Sequence, residues 1–240
     1  MLKEAIEKIV ELAHPTVIEV DGKTFSTDRF SEVEPDRHYP RTIELNTLDG
    51  IVRMIEEEAA EKYADVSKLY VRVSEYNRVE VFTSYDEKMN RSNLYVSRAD
   101  VPGFREGFKD RETMLIQLRS LFMQTPDVAY MLDLLSRMSE NEKVTSQDNG
   151  ISQTVEVKKG VSLKEAVEVR PRVKLTPFRT FLEVEQPESE FLLRVADGGQ
   201  IGLFEADGGV WKLVAKRSIA KYLEECLNYL IEQGKVAVMM

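Results

Sequence analysis

The tetrapeptide Ala-Asp-Gly-Gly occurs twice in this chain, at residues 196–199 and 206–209, offset by ten residues. Asp-Gly and Gly-Gly pairs supply the positive φ angles that tight turns require, so we expect the chain to change direction at both copies. The offset leaves about six residues between the turns, which is close to the usual length of a strand. The repeat therefore predicts a three-stranded meander with strands over 191–195, 200–205 and 210–214.

Aspartate-glycine loops bind calcium or phosphate in some proteins, which is the alternative interpretation of this repeat. Neither copy carries the further oxygen ligands of a calcium loop, and neither carries the Lys-Ser/Thr of a phosphate loop. We therefore favour two turns of a folded sheet over two ligand loops.

Apolar residues recur at three- and four-residue spacing in five segments, and this spacing predicts amphipathic helices. The segments span residues 2–13, 48–59, 110–122, 125–138 and 215–233. The second, third and fourth segments each start at or just after a polar residue suited to capping a helix, namely Asn46, Asp110 and Thr125.

Runs rich in Val, Tyr and Phe lie over 69–73, 78–83 and 93–97 and predict a three-stranded antiparallel sheet. Two more hairpins are predicted where strand-like residues flank Asp21-Gly22 and Asp148-Asn149-Gly150. The predicted fold class is α+β, in which N-terminal helices accompany the three-stranded sheet and a C-terminal antiparallel meander is packed by the terminal helix.

The chain carries a net charge of −9 that is unevenly spread. Residues 1–141 hold 19 Lys and Arg against 27 Asp and Glu, whereas residues 142–240 hold 14 against 15. This shift predicts two regions, an acidic α+β region over 1–141 and a mostly antiparallel β region with a C-terminal helix over 142–240. General affinity for nucleic acid is disfavoured, because phosphate attraction requires a basic surface.

One stretch departs from this acidic character. Residues 158–179 hold seven basic residues against two acidic ones, and Lys158, Lys159 and Arg172 are candidate binding residues within it. This stretch is suited to contact with nucleic acid or with the acidic N-terminal region of a neighbouring subunit, so specific nucleic-acid binding stays open.

Composition also excludes several kinds of site. No apolar run approaches the roughly 18 residues that cross a bilayer, so we expect no contact with a membrane. The chain has one cysteine, Cys226, and two histidines. An internal disulfide and a Cys/His zinc site are therefore not available within one chain. We expect a cytoplasmic protein with no metal and no cofactor.

The enzymatic candidate consists of Asp148, Glu156 and Lys158. Metal-dependent nucleases hold Mg²⁺ with an aspartate and the glutamate of a Glu-x-Lys pair, and the lysine orients the attacking water. Glu156 and Lys158 alternate correctly for one face of a strand. However, Asp148 lies in the predicted turn, and Glu-x-Lys is common by chance in a chain with so many charges.

The C-terminal third carries two long strings, LTPFRTFLEVEQPESEFLLRV and IGLFEADGGVWKLVAKRSIAKYL. They resemble an uncharacterised family encoded in bacteriophages and prophages, the YfdQ-like family. The stretches IELNTLDGIVRMIE, LRSLFMQTPD and DNGISQTVEVKKGV fit the same family. The resemblance implies a phage or prophage early-region protein that acts in a bacterial cytoplasm, and it implies no catalytic residue.

Within these strings Arg179, Arg194 and Trp211 are candidate binding residues. The two arginines are suited to pair with Glu183, Glu185 or Glu205 across strands, and fixed Arg and Trp side chains equally suit a binding surface.

We expect a non-enzymatic phage-encoded accessory protein that forms a homo-oligomer and binds a host or phage partner. The partner classes are a host defence component, a small signalling nucleotide and phage recombination proteins. Two alternatives stay open, the Mg-dependent nuclease described above and a self-assembling structural shell protein.

Overall fold

The computed structural model describes most of the chain in ten stretches. They are residues 2–13, 17–26, 31–32, 41–60, 68–86, 89–138, 144–148, 153–159, 163–196 and 199–240. The predicted turn at Asn149 and Gly150, and most of the stretch between 27 and 40, lie outside the described residues.

The described residues form six helices and fifteen strands. The helices are α1 (Leu2–Ala13), α2 (Leu48–Ala60), α3 (Arg111–Ser120), α4 (Pro126–Arg137), α5 (Val210–Cys226) and α6 (Asn228–Glu232). The first eight strands are β1 (Val17–Val20), β2 (Lys23–Ser26), β3 (Ser31–Glu32), β4 (Ile43–Leu45), β5 (Leu69–Glu75), β6 (Arg78–Thr83), β7 (Asn93–Arg98) and β8 (Gly107–Lys109). The others are β9 (Val144–Asp148), β10 (Gln153–Lys159), β11 (Leu163–Val169), β12 (Arg172–Leu175), β13 (Ser189–Val195), β14 (Ile201–Glu205) and β15 (Val236–Met239).

The predicted α+β class with antiparallel sheets is confirmed. Residues Met1–Pro40 form one unit, which holds α1 and a sheet of order β1-β2-β3. Its predicted hairpin is present, and the turn residues Asp21 and Gly22 have φ angles of 52° and 74°. Two consecutive positive φ angles characterise the turn that matches the twist of a two-residue hairpin.

Residues Arg41–Met240 form the second unit, which contains three sheets. The predicted strands β5, β6 and β7 are antiparallel neighbours, and two edge strands that the sequence did not predict extend them to the order β15-β5-β6-β7-β4. Both edge strands pair in parallel, β15 with β5 and β4 with β7. The other two sheets are antiparallel, with orders β12-β13-β14-β8 and β11-β10-β9.

Two hydrophobic cores organise this second unit. In one core, α2, α5 and α6 cover one face of the five-stranded sheet, as shown by buried Ile51, Val71 and Leu223. In the other, α3 and α4 cover the four-stranded sheet, as shown by buried Met114 and Phe191. Each fully buried side chain of this size contributes about 1.5–3 kcal/mol through its removal from water.

The sequence placed a regional boundary between residues 141 and 142, whereas contacts divide the chain between Pro40 and Arg41. Strand β8 lies before residue 141 and pairs with β14, and β15 near the C-terminus pairs with β5. Both predicted regions therefore contribute strands to the same sheets.

The two Ala-Asp-Gly-Gly copies have different roles, and the predicted third strand over 210–214 is wrong. The first copy links β13 to β14, as predicted, but the second begins helix α5. Gly208 and Gly209 have φ angles of 65° and 80°. The Asp207 carboxylate accepts hydrogen bonds from the backbone N–H groups of Gly209 (2.9 Å) and Trp211 (3.3 Å). These bonds satisfy donors that a helix leaves unpaired at its start, and they outweigh the strand preference of the valines that follow.

Capping residues were predicted for three other helices, and the structure confirms two of them. Asp110 and Thr125 cap α3 and α4 as predicted. At α2 the side chains that accept from the first turn are Thr47, bonded to the Gly50 N–H at 3.1 Å, and Glu183, bonded to the Leu48 N–H at 2.7 Å. The prediction that Asn46 caps this helix is therefore corrected to Thr47 together with a carboxylate 135 residues away.

Replacement of Asp207 by Ala should lower the free energy of unfolding by about 1 kcal/mol, because two backbone donors at the start of α5 lose their acceptor. Urea denaturation followed by far-UV circular dichroism measures this change. Asp207→Asn keeps an acceptor oxygen and should retain most of the stability; an equal loss in both variants would contradict the capping role.

Candidate ligand-binding cavity

A cavity of about 160 Å³ lies in the second unit, where the five-stranded and four-stranded sheets meet. Its walls come from the β5–β6 turn, the segment after β7, the loop after β12, the end of β14 and the start of α5. The residues that carry its chemistry are Tyr76, Asn77, Phe104, Arg179, Glu205 and Trp211. We call this space the Arg179 cavity.

The loop over residues 176–188, here the connecting loop, holds Arg179 in place. Its Gln186 side chain is buried, accepts hydrogen bonds from the N–H groups of Arg179 (3.0 Å) and Thr180 (3.2 Å), and donates to the Phe181 carbonyl at 2.9 Å. Phe181 is itself 1% exposed within the core of the five-stranded sheet. The buried Gln186 amide and the buried Phe181 ring therefore fix the backbone of Arg179.

The side chain of Arg179 is only 8% exposed and is surrounded by partners. Its Nη1 donates to Glu205 Oε1 at 2.7 Å, and its Nη2 donates to the Pro187 carbonyl at 3.2 Å and to Ser189 Oγ. The guanidinium carbon lies 3.7 Å from the centre of the Trp211 ring. An arginine over a tryptophan face is attracted by the ring quadrupole, and this attraction strengthens when both groups are desolvated.

Burial lowers the pKa of Arg179 to about 10, while the negative charges of Glu205 and Asp207 oppose that decrease. The guanidinium therefore stays protonated at neutral pH. It is a fixed positive charge in the wall of the cavity.

Glu205 links the arginine to the indole ring. Its second oxygen accepts a hydrogen bond from Trp211 Nε1 at 3.0 Å, so both carboxylate oxygens have donors. Tyr76 packs against Trp211 edge to face, with ring centres 4.7 Å apart and planes at 65°. The aromatic wall is therefore held by one carboxylate and one neighbouring ring.

Two buried polar atoms of the cavity residues have no hydrogen-bond partner among the described residues. They are Arg179 Nε, a donor, and Asn77 Oδ1, an acceptor. An unsatisfied buried donor or acceptor costs about 1–3 kcal/mol, so each requires a water molecule or a ligand group. Both atoms belong to residues that line the cavity beside aromatic rings.

This combination defines what the cavity can hold. Most sites for small molecules measure about 300–1,000 Å³, so 160 Å³ suits a single ring system rather than a whole cofactor. A flat heterocycle that carries both an acceptor and a donor matches the aromatic walls and the two free atoms.

Of the binding residues predicted from the sequence, the structure brings two together in this cavity, Arg179 and Trp211. Arg179 also forms an ion pair with Glu205, one of the partners that the sequence analysis named for it. Arg172 is an exposed residue of β12 and pairs with Glu190 at 2.6 Å. Arg194 lies opposite Gly202 in the β13–β14 pair and is not among the cavity residues.

The basic residues Lys158 and Lys159 lie on β10, opposite Lys164 and Leu163 of β11. They belong to the three-stranded sheet and are not among the cavity residues. Their role in binding stays a prediction.

The register of the same sheet bears on the nuclease alternative. Asp148, expected in a turn, is the last residue of β9 and pairs with Gln153, whereas Glu156 pairs with Thr145. Positions 153 and 156 are three apart, and strand positions alternate between faces, so Asp148 and Glu156 occupy opposite faces of the sheet. Lys158 shares the face of Glu156. The nuclease stays an alternative, although its two carboxylates do not lie on the same face of the sheet.

Sequence reasoning missed Asn77 and Tyr76 as site residues, because they lie between two predicted strands and belong to no motif. Phe104 lies in a segment that carries no motif. No periodicity connects these residues to Arg179, which lies more than 70 residues further along the chain.

Within the described residues, no group of three or more His, Cys, Asp or Glu side chains is arranged to hold a metal ion. The helices in that part of the chain also include none that is long and apolar enough to span a bilayer. No family model, no curated protein and no solved structure matches this chain.

Replacement of Glu205 by Gln should lower the free energy of unfolding by about 2 kcal/mol, because it removes the charged partner of a buried guanidinium. Glu190→Gln is the matched control, since Glu190 pairs with exposed Arg172 at 2.6 Å against 2.7 Å for Glu205 and Arg179. The control should lose less than about 1 kcal/mol. Equal losses in chemical denaturation would show that the buried pair is no more important than the exposed one.

Proposed function

We propose that this chain is a non-enzymatic binding protein that holds one small, flat heterocycle in the Arg179 cavity. The observation that carries the proposal is the pair of unpartnered buried atoms, Arg179 Nε and Asn77 Oδ1, at a cavity with aromatic walls. A heterocycle with an acceptor and a donor satisfies both atoms and stacks on or against Trp211, Tyr76 or Phe104.

The rigidity of the site supports tight binding. Arg179 is fixed by Gln186, Glu205 and Trp211 before any ligand arrives. A preorganised site loses less entropy on association, so more of the contact energy contributes to affinity.

The resemblance to the YfdQ-like family extends this proposal to a phage-encoded accessory protein in the cytoplasm of a bacterial host. Binding in stoichiometric amounts sequesters a ligand without catalysis. Removal of a host signalling molecule by this route is a form of counter-defence, and delivery of a ligand-bound protein to phage recombination proteins is the other role that the proposal includes.

The cavity proposal predicts that protein purified from a bacterial host retains a small molecule that native mass spectrometry detects. Asn77→Ala should lose it, because the replacement removes the acceptor. In ligand-free protein, the free nucleobases adenine, guanine, cytosine and uracil serve as probes. At least one should change the fluorescence of Trp211, which is the only tryptophan of the chain.

Asn228→Ala is the control for this experiment, since Asn228 lies on α6 and pairs with Glu232. It should retain the bound mass and the fluorescence response. Absence of any retained mass, together with unchanged Trp211 fluorescence for all four bases, would refute the proposed function.

Self-association is the second part of the proposal, and exposed apolar side chains on α5 support it. Val210, Leu213 and Val214 are 61%, 46% and 43% exposed. Their spacing places them on one face of the helix, next to the cavity residue Trp211. A second copy that covers this face removes the three side chains from water.

Replacement of Leu213 by Glu should convert the oligomer to a monomer in size-exclusion chromatography with light scattering, because a charge in an apolar contact is costly to desolvate. Ile116→Glu is the matched control, since Ile116 is 57% exposed on α3. A wild-type monomer, or equal dissociation in both variants, would argue against the α5 face.

A further inference from the structure

A second, more open space of about 420 Å³ lies beside the Arg179 cavity, and Ala99 lines both. It lies on the face of the five-stranded sheet that carries Val96 and Arg98. The edge strand β4 contributes Glu44 to its lining. We call this space the Arg78 groove. The chain passes directly from the cavity to the groove, because Asn77 lines the first and Arg78 lines the second.

Two arginines lie side by side in this groove. Arg78 of β6 and Arg98 of β7 are Cα partners in the antiparallel register, so both occupy the same face. Side chains at such positions have Cβ atoms about 4.5–5.5 Å apart, and like charges directly opposite each other are destabilising. Repulsion between the two positive charges destabilises the unbound protein. An anion bound between the two guanidinium groups reduces this repulsion.

The hydrogen bonds of these arginines are incomplete. Arg78 forms an ion pair with Glu80, with Nη2 and Oε1 2.9 Å apart, but its Nε is buried and without a hydrogen-bond partner among the described residues. Arg98 is exposed. The groove therefore presents one partly neutralised and one open guanidinium, which together can hold an oxyanion with several charge-assisted hydrogen bonds.

We infer that the Arg78 groove binds the phosphate groups of a nucleotide whose base occupies the Arg179 cavity. This inference rests on the proposed function and specifies its ligand. The cavity accommodates one ring system, and the adjoining groove, which shares Ala99 with it, offers paired arginines for the rest of such a ligand. A nucleoside phosphate joins a flat heterocycle to an anion within one small molecule.

Two carboxylates also line the groove, Glu44 and Asp100. The formal charge of the groove is therefore zero, and phosphate binding depends on proximity to the arginines rather than on a general positive field. It follows that loss of a carboxylate strengthens phosphate binding, whereas loss of an arginine weakens it.

The test compares nucleosides with their 5′-diphosphates, using adenosine, guanosine, cytidine and uridine as the nucleosides and Trp211 fluorescence as the signal. At least one diphosphate should bind about tenfold tighter than its nucleoside, because its phosphates gain charge-assisted hydrogen bonds from the arginines. Arg98→Gln should remove this difference and leave the affinity for the nucleoside unchanged. Glu44→Gln should increase the difference.

Two controls separate binding from folding. Arg53→Gln, at an exposed position on α2, should bind like the wild type. Arg98→Gln should keep or raise the melting temperature of the ligand-free protein, because it removes a like-charge pair. Inorganic phosphate alone should compete weakly, since it lacks the base.

Equal affinities for nucleosides and diphosphates would overturn the inference and leave the proposed function in place. Tighter binding of single-stranded oligonucleotides than of any diphosphate would overturn it as well, because it would assign the groove to a polynucleotide. If no nucleoside or diphosphate changes the fluorescence, the inference fails, and the retained mass in native mass spectrometry then decides the proposed function separately.

Discussion

The guanidinium of Arg179 is buried where two sheets meet, and burial of a charge is costly unless partners compensate for the lost water. Glu205 from β14, Ser189 from β13 and Trp211 from α5 supply that compensation. One side chain thereby links the connecting loop, the four-stranded sheet and the C-terminal helix. The same contacts leave Nε without a hydrogen-bond partner among the described residues, and this atom is part of the basis of the proposed binding site.

The connecting loop also links the region around Arg179 to the five-stranded sheet and to α2. Phe181 inserts into the core of the five-stranded sheet, Thr180 donates to the Tyr76 carbonyl, and Glu183 accepts from the first turn of α2. A loop is normally variable and mobile, but this one has a buried glutamine and a buried phenylalanine at its centre. Its order explains how a cavity at a junction of separate elements keeps a defined shape.

The β5–β6 turn and the residue that follows it contribute side chains to both the cavity and the Arg78 groove. Tyr76 and Asn77 form that turn and line the cavity, and Arg78 begins the next strand and lines the groove. A tight turn therefore does two things at once, since it reverses the chain and presents neighbouring side chains to two adjoining spaces. We propose that the ligand is recognised across this turn.

The sequence by itself determined the elements whose signals are local. Apolar spacing located four helices, although the single terminal helix predicted over 215–233 is α5 and α6. Asp-Gly located the first hairpin, and Asp110 and Thr125 marked two helix starts, because each signal acts within a few residues. Only the tertiary structure decided the remaining features. Helix α2 is capped by Glu183 from 135 residues away, which no local signal encodes. The bonds from Asp207 that begin α5 span only two and four residues, so that helix start was a local feature that the sequence analysis missed. Asn77 and Arg179 meet through packing of distant segments, and neither propensity nor spacing encodes which buried atoms that packing leaves without a partner.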